Sequence, residues 1–92
     1  MSDDELAAIE ARANAATLGP WRVLRQKKKT AINPWWRLCI ETPIKHGPGA
    51  WVARISNDLV PDAEFIAAAR TDVPALLAEV RRLQRAIRRL KP

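Results

Sequence analysis

Apolar positions along this chain recur with two different periods, and the change between them predicts the elements. Over residues 3–17 they recur at helical spacing, after a Ser2 that can cap the helix and a Glu5 that completes a capping box. Gly19 and Pro20 should stop this helix, with Gly19 left-handed at its C-terminal end. A first helix over about residues 3–17 is therefore predicted.

Three segments with the two-residue period of β-strands come next. They cover residues 21–25, 35–42 and 51–56. The connections are a lysine-rich stretch at 27–30 and a loop signal at 46–49, and such short connections favour an antiparallel meander. The middle strand alternates best, with Trp36, Leu38 and Ile40 on one face.

Helical spacing returns after the sheet, where two further helices are predicted. The first covers residues 61–70, and the side chains expected to face inward from it are Phe65, Ile66 and Ala69. The second starts at a cap on Thr71 or Asp72 and runs to about Leu90. The predicted order is α-β-β-β-α-α. This is an α+β fold with an N-terminal helix, a three-stranded antiparallel meander, a short helix and a long amphipathic basic C-terminal helix.

Length and composition restrict the class of protein. With 92 residues, the chain is expected to form one small domain over 1–92, from which residues 81–92 extend as a basic helix. A hydrophobic content of 48% argues against a disordered chain, and no apolar run reaches the roughly 20 residues of a membrane span. The acidic start lacks the apolar stretch of a secretory signal. A cytoplasmic protein is expected.

The strongest pattern lies in the last predicted helix. Its apolar residues recur at alternating steps of three and four and define a heptad seam: Val73, Leu76, Val80, Leu83, Ile87 and Leu90. β-Branched residues at position a with leucine at d favour a parallel two-stranded coiled coil. The first half of the seam should pack on the protein's own sheet. The second half, Leu83, Ile87 and Leu90, should stay exposed as the interface of a homo-oligomer, with a dimer as the first expectation.

The net charge of +6 is unevenly distributed. Residues 1–19 and 57–79 are net acidic, whereas 20–56 and 80–92 are net basic. Such blocks fit either complementarity within the protein and its oligomer or attraction of an anionic partner. The last block carries a basic patch that can grip phosphates, formed by Arg81, Arg82, Arg85, Arg88 and Arg89. Its helix has no bulky aromatic on the apolar face, which argues against a membrane surface as the partner.

A second candidate surface combines arginine and tryptophan on the sheet. Alternation turns one tryptophan per strand toward the helices, so Trp21, Trp36 and Trp51 should be core. The opposite face then carries the candidate ligand-binding residues Arg22, Trp35, Arg37 and Arg54. In a suitable register these side chains can stack a base and clamp a phosphate. The alternative is a solvated face whose arginines pair with helix carboxylates.

Reaction chemistry is not apparent in the sequence. One cysteine and one histidine exclude an internal disulfide and a Cys/His zinc site within one chain. Cys39 should fill apolar space in a strand, and His46 should be a loop residue. Since no carboxylate pair, activated nucleophile or glycine-rich phosphate loop is apparent, we expect neither an enzyme nor a cofactor.

Two stretches resemble motifs of a known family. Residues 15–21, AATLGPW, resemble the ATPGPW opening of many small phage, prophage and actinobacterial proteins, with Leu18 where proline is common. Residues 62–77, DAEFIAAARTDVPALL, resemble the DAEFIAAARxDVPALL segment that closes the same proteins, which include the Ead-like phage family. The resemblance implies an accessory protein that binds and inhibits a host enzyme or blunts host defence in the host cytoplasm. It assigns no functional residues, because the motif side chains are those of a fold.

The leading interpretation is thus a phage-type accessory protein that acts stoichiometrically on the host. It would capture an acidic host protein or an anionic nucleotide-type ligand. One alternative is a basic dimeric nucleic-acid-binding protein, whose affinity should fall steeply with salt. The other is a structural oligomerisation module without a ligand, whose basic patches make only intersubunit contacts.

Overall fold

The computed structural model describes residues 1–28, 35–44, 50–56 and 58–90. The side chains of residues 26–28 and 35–37 lie outside this description. The elements in chain order are α1 (Asp3–Ala15), β1 (Arg22–Lys28), β2 (Trp35–Glu41), β3 (Trp51–Ile55) and α2 (Val60–Leu90). The strands form one antiparallel sheet in the order β1-β2-β3. The predicted α+β fold with a three-stranded meander is confirmed.

Helix α1 begins with the predicted capping box. The Ser2 hydroxyl accepts a hydrogen bond from the Glu5 N–H at 3.1 Å, and the Ser2 N–H donates to Glu5 Oε1 at 3.0 Å. The hydrogen bond that the Ser2 N–H donates to the carboxylate, with a smaller contribution from the nearby Ser2 hydroxyl, lowers the pKa of the Glu5 carboxyl. The helix ends at Ala15, about half a turn before the predicted end.

The middle of β2 is buried on both faces, whereas alternation predicts burial on one. Leu38 and Ile40 are 1% and 0% exposed, and Cys39 between them is also 0% exposed. Neighbouring strand residues point to opposite faces, so both sides of this strand are covered. Trp21 and Trp51 are only half-buried, which corrects their assignment to the core, and the side chain of Trp36 lies outside the described residues.

Strand β1 is longer than predicted. Lys27 and Lys28 were assigned to a polar connection, but both lie in the strand, where they pair with Trp36 and Trp35 of β2. A lysine pair has weak intrinsic preference for a strand, and pairing with the aromatic end of β2 overrides it.

Helix α2 is one helix of 31 residues where two were predicted. Thr71 and Asp72, expected to cap a second helix, lie inside it, and so does Pro74. Proline has no N–H to donate to the carbonyl of Arg70, but a single missing bond does not end the helix here. The alanines on both sides of this point are strong helix formers, and they outweigh the capping signal.

The first part of α2 buries different residues from those predicted. Phe65 is 76% exposed and Ile66 is 37% exposed, so the expectation that both face inward is wrong. The buried positions are Ala63 and Ala67, which lie four residues apart on one side of the helix. The side of the helix that is covered thus carries small side chains, and the bulkier Phe65 and Ile66 lie on the exposed side.

The chain divides into two compact units. One comprises Met1–Ala16 and Asp72–Pro92, and the other comprises Thr17–Thr71. The sheet and the first part of α2 belong to the second unit, whereas α1 and the remainder of α2 belong to the first.

In the unit that contains the sheet, the start and the end of the chain segment are joined through one carbonyl oxygen. The carbonyl of Thr17 accepts hydrogen bonds from Trp21 Nε1 at 3.0 Å and from Arg70 Nε at 2.9 Å. Gly19 lies in this corner, and a Cβ there would lie 2.7 Å from Arg70 Cγ. Gly19 is not left-handed as predicted; it is required because the side chain of Arg70 passes so close. Arg70 thus connects the two stretches that resemble phage motifs.

Gly19→Ala should lower the free energy of unfolding by about 1–2 kcal/mol, because the added methyl group displaces Arg70 from the Thr17 carbonyl. Arg70→Ala removes both the hydrogen bond and the clash. The two substitutions should therefore be strongly non-additive, with the double variant close to Arg70→Ala alone. Urea denaturation of the four proteins measures this coupling, and simple additivity would contradict the assigned contact.

Candidate functional site

The sheet arginines lie on one face but are staggered along it. Arg22 pairs across the sheet with Glu41, Arg54 pairs with Cys39, and Arg37 pairs with Gln26. The corresponding positions on β2 span four residues, which is about 13 Å. Across the sheet from β1 to β3, the three arginine positions lie level with Glu41, Arg37 and Cys39 of β2, so they are offset from one another and do not form one row. The side chains of Arg37 and Trp35 lie outside the described residues, so their part in a binding surface stays a prediction.

Arg22 has a structural partner. Its Nε lies 2.5 Å from Oε1 of Glu41, whose side chain is only 9% exposed. A buried carboxylate needs a cation or several hydrogen bonds to offset its lost hydration, and Arg22 supplies the cation. Arg54 is also engaged in an interaction. The sheet thus offers an anion less free charge than its sequence indicates.

The other unit is an antiparallel pair formed by α1 and residues 72–90 of α2. Asp3 accepts a hydrogen bond from Gln84 at 3.4 Å, whereas Glu10, two turns later in α1, pairs with Arg81 at 3.2 Å. The partner position on α2 falls as α1 advances, so the two helices run in opposite directions. Leu6 of α1 and Leu77 of α2 are the buried apolar residues of this unit, with 2% and 9% exposed.

A polar groove of about 370 Å³ lies between the two helices of this pair. Its polar lining comes from Glu10 and Asn14 of α1 and from Arg81 and Arg85 of α2. Arg81 is held by Glu10, whereas Arg85 has no ion-pair partner among the described residues. The volume lies within the range of about 300–1,000 Å³ that is usual for small-molecule sites. We call this the basic groove.

The five C-terminal arginines lie on the side of α2 opposite the apolar seam. In the heptad that has Val73 at position a, they fall at b, c and f, away from the seam. We call this set the arginine face: Arg81, Arg82, Arg85, Arg88 and Arg89.

Among the described residues, two members of the arginine face have carboxylate partners and three have none. Arg81 pairs with Glu10, and Arg82 binds Glu79 through Nη2 at 2.5 Å and Nε at 3.0 Å. The hydrogen bond from Arg82 lowers the pKa of the Glu79 carboxyl. Arg85, Arg88 and Arg89 are exposed, and within the described chain none of them forms an ion pair. Positions 88 and 89 also stabilise the carboxyl end of the helix dipole, but Arg85 lies too far from that end to do so.

The second half of the heptad seam is exposed as predicted. Leu83, Ile87 and Leu90 are 47%, 56% and 84% exposed. We call these three residues the apolar tip.

The first half of the seam lines an apolar groove of about 200 Å³, with walls from both helices of the pair. Its lining residues are Val73, Leu76, Leu77 and Val80 of α2, Leu6 and Ile9 of α1, and Met1, which precedes α1. Burial on the sheet was predicted for this half, but Leu76 is 63% exposed and the groove neighbours are residues of α1. The apolar groove therefore has room for a further apolar side chain.

Sequence reasoning missed Glu10 and Asn14 as groove residues. The available signal was the small side chain at Ala13 of α1 and at Ala78 of α2, both of which line the basic groove. Alanine on facing helices leaves space that larger neighbours can border. That signal identifies the groove only once the pairing of the two helices is known.

Across residues 1–28, 35–44, 50–56 and 58–90, no three His, Cys, Asp or Glu side chains cluster as a metal site requires. No helix in the described part of the chain combines the length and the apolar content needed to cross a membrane. Cys39 is a buried free thiol.

Comparisons with protein-family models, with curated proteins and with solved structures give no match for this chain. The resemblance to Ead-like phage proteins therefore stays a prediction that rests on its two motifs. The features of the described structure that can support a function are the two grooves, the apolar tip and the arginine face.

Arg22→Ala should lower the free energy of unfolding by about 1–3 kcal/mol, because it leaves the Glu41 carboxylate buried without its cation. Glu41→Gln in the same background should recover much of this loss, because a neutral amide is less costly to bury. Arg12→Ala, at an exposed position of α1, is the control and should change stability by less than about 0.5 kcal/mol. Urea denaturation measures all four proteins. If Arg22→Ala and Arg22→Ala/Glu41→Gln lose the same free energy of unfolding, Arg22 does not act by neutralising the Glu41 carboxylate.

Proposed function

We propose that this protein is a stoichiometric binding protein that captures an anionic partner on the arginine face of α2. The observation that carries the proposal is that Arg85, Arg88 and Arg89 are exposed and have no carboxylate partner among the described residues. They lie within about 6 Å along the helix axis. Like charges at that spacing repel each other, and a bound anion relieves the repulsion.

Guanidinium groups suit two kinds of anion. Their planar forks bind carboxylates and phosphates through paired hydrogen bonds, which a lysine cannot reproduce. The partner is accordingly an acidic segment of a host protein or an anionic nucleotide-type ligand. A phage-type accessory protein that inhibits a host function by binding alone needs only such an anion-binding surface.

The basic groove suits a ligand that has a polar portion next to its anionic group. Arg85 belongs to both the arginine face and the groove, so an anion held there can extend toward Asn14 of α1. The Asn14 amide offers both a donor and an acceptor. The small side chains Ala13 and Ala78 leave space beside it.

A triple variant, Arg85→Gln/Arg88→Gln/Arg89→Gln, tests the proposal. Calorimetric titration with ATP and with a ten-residue glutamate peptide should show at least about tenfold weaker binding of the preferred probe, which corresponds to about 1.4 kcal/mol. The matched control is Lys27→Gln/Lys28→Gln/Lys29→Gln, which removes the same number of positive charges. Its affinity should change by less than about threefold, because only general attraction is lost. Equal losses in both variants would contradict a specific site on α2.

A nucleic-acid-binding protein is the second candidate. Its support is that residues 81–90 carry five arginines and no carboxylate, over about 14 Å of helix. Titration of a 20-base-pair DNA duplex at several salt concentrations separates the candidates, because each neutralised phosphate steepens the log–log slope by about 0.9. A ligand-free oligomerisation module would bind none of the three probes.

A further inference from the structure

Two apolar surfaces of the α1/α2 pair lack a partner among the described residues. The apolar groove is concave and opens beside Leu76, which is 63% exposed. The apolar tip projects past the start of α1, because Asp3, the first residue of that helix, bonds Gln84. Ile87 and Leu90 lie beyond this point and are 56% and 84% exposed. The unit therefore carries both an open apolar groove and an uncovered apolar row.

The groove and the tip match in length and in spacing. The groove row on α2 is spaced by three and then four residues, and the tip row by four and then three. Each row is about 10 Å long. When one helix is reversed, the tip row of one copy has the spacing of the groove row of another. The resulting pairs are Leu90 with Val73, Ile87 with Leu76, and Leu83 with Val80.

Charge favours this reversed arrangement over a parallel one. A parallel, in-register pair brings the arginine faces of both copies to the same end of the assembly. In the reversed pair, each arginine-rich segment instead runs along residues 72–80 of the other copy. That segment carries Asp72 and Glu79 and no cation, and Asp72 is the carboxylate that remains available, because Glu79 binds Arg82 of its own chain. Opposite charges along a contact favour the arrangement that brings them together, and like charges disfavour the alternative.

We propose that a second copy of this chain fills the apolar groove, in an antiparallel dimer where the apolar tip of each copy occupies the groove of the other. The contact is isologous, so both grooves and both tips are covered by one twofold operation. The arginine face stays outside the seam because its members fall at heptad positions b, c and f. The dimer goes beyond the proposed anion binding and does not depend on it.

Cysteine cross-linking of the full chain tests the arrangement. Cys39 is 0% exposed and gives little background. Val73→Cys/Leu90→Cys should form a covalent dimer on mild oxidation, because each new thiol meets its counterpart on the other copy. The two positions are about 25 Å apart on one helix, so they cannot bridge within a chain. Each single variant should stay uncross-linked.

Matched outer-face and seam variants identify the surface. Val73→Cys/Arg89→Cys places the second thiol on the outer face and should not cross-link. Sedimentation equilibrium should show that Leu83→Glu/Ile87→Glu weakens the dimer by at least about 100-fold, because it places carboxylates in the apolar contact. Arg85→Glu/Arg89→Glu adds the same two carboxylates outside the seam and should weaken the dimer by less than about tenfold, because it removes only longer-range attraction to the acidic segment of the other copy. Since all four positions are exposed, circular dichroism should confirm folded chains.

Three results would overturn the proposal. The first is a wild-type chain that is monomeric at about 100 μM, where a specific dimer of this kind should form. The second is efficient disulfide formation by Leu90→Cys alone, which requires a parallel pair. The third is a Leu83→Glu/Ile87→Glu variant that remains dimeric. A wild-type chain that forms this dimer but binds neither ATP nor the glutamate peptide would count against the proposed function alone.

Discussion

A mismatch in helix length determines which surfaces of the α1/α2 pair are available for binding. Helix α1 has 13 residues, about 20 Å, whereas residues 72–90 of α2 extend for about 28 Å. α1 therefore covers only part of the apolar seam, and the surplus is the apolar tip. Because α2 continues through Pro74 without interruption, this surplus is held on a regular helix, with the arginines on its outer side.

Signals that act over a few residues were predictable from the sequence, whereas those that depend on distant neighbours were not. The capping box at Ser2 and Glu5 is local, and it was predicted correctly. Phe65 has the large apolar side chain of a core residue. It is exposed because the buried side of the helix is the side that carries Ala63 and Ala67. Cys39 was expected to fill apolar space, and it is buried, but the cover over its side of β2 did not follow from alternation and depends on distant parts of the chain.

The sequence predicted where the positive charges of the candidate site lie. It did not predict which of these arginines would be left to bind an anion. The arginine block at the end of the chain is plain in the sequence. Which arginines are engaged depends on carboxylates far away along the chain, such as Glu10 for Arg81 and Glu41 for Arg22. Only the pairing of α1 with α2 and the register of β1 on β2 decide this. The fold thus divides similar side chains into arginines that pair with a carboxylate and arginines for which the described part of the chain provides no ion pair.

The hydrogen bond between Arg70 and the Thr17 carbonyl has an architectural consequence. The unit that contains the sheet is an insertion between two segments of the helix pair, and the ends of that insertion are held together by this 2.9 Å contact. The second end of the insertion lies inside α2, which continues from this unit into the helix pair, so the insertion is not an exposed loop that can be exchanged freely. Variation of the strands is instead expected to retain Arg70 and the corner at Thr17, because this contact holds the two ends together whatever the strands between them carry.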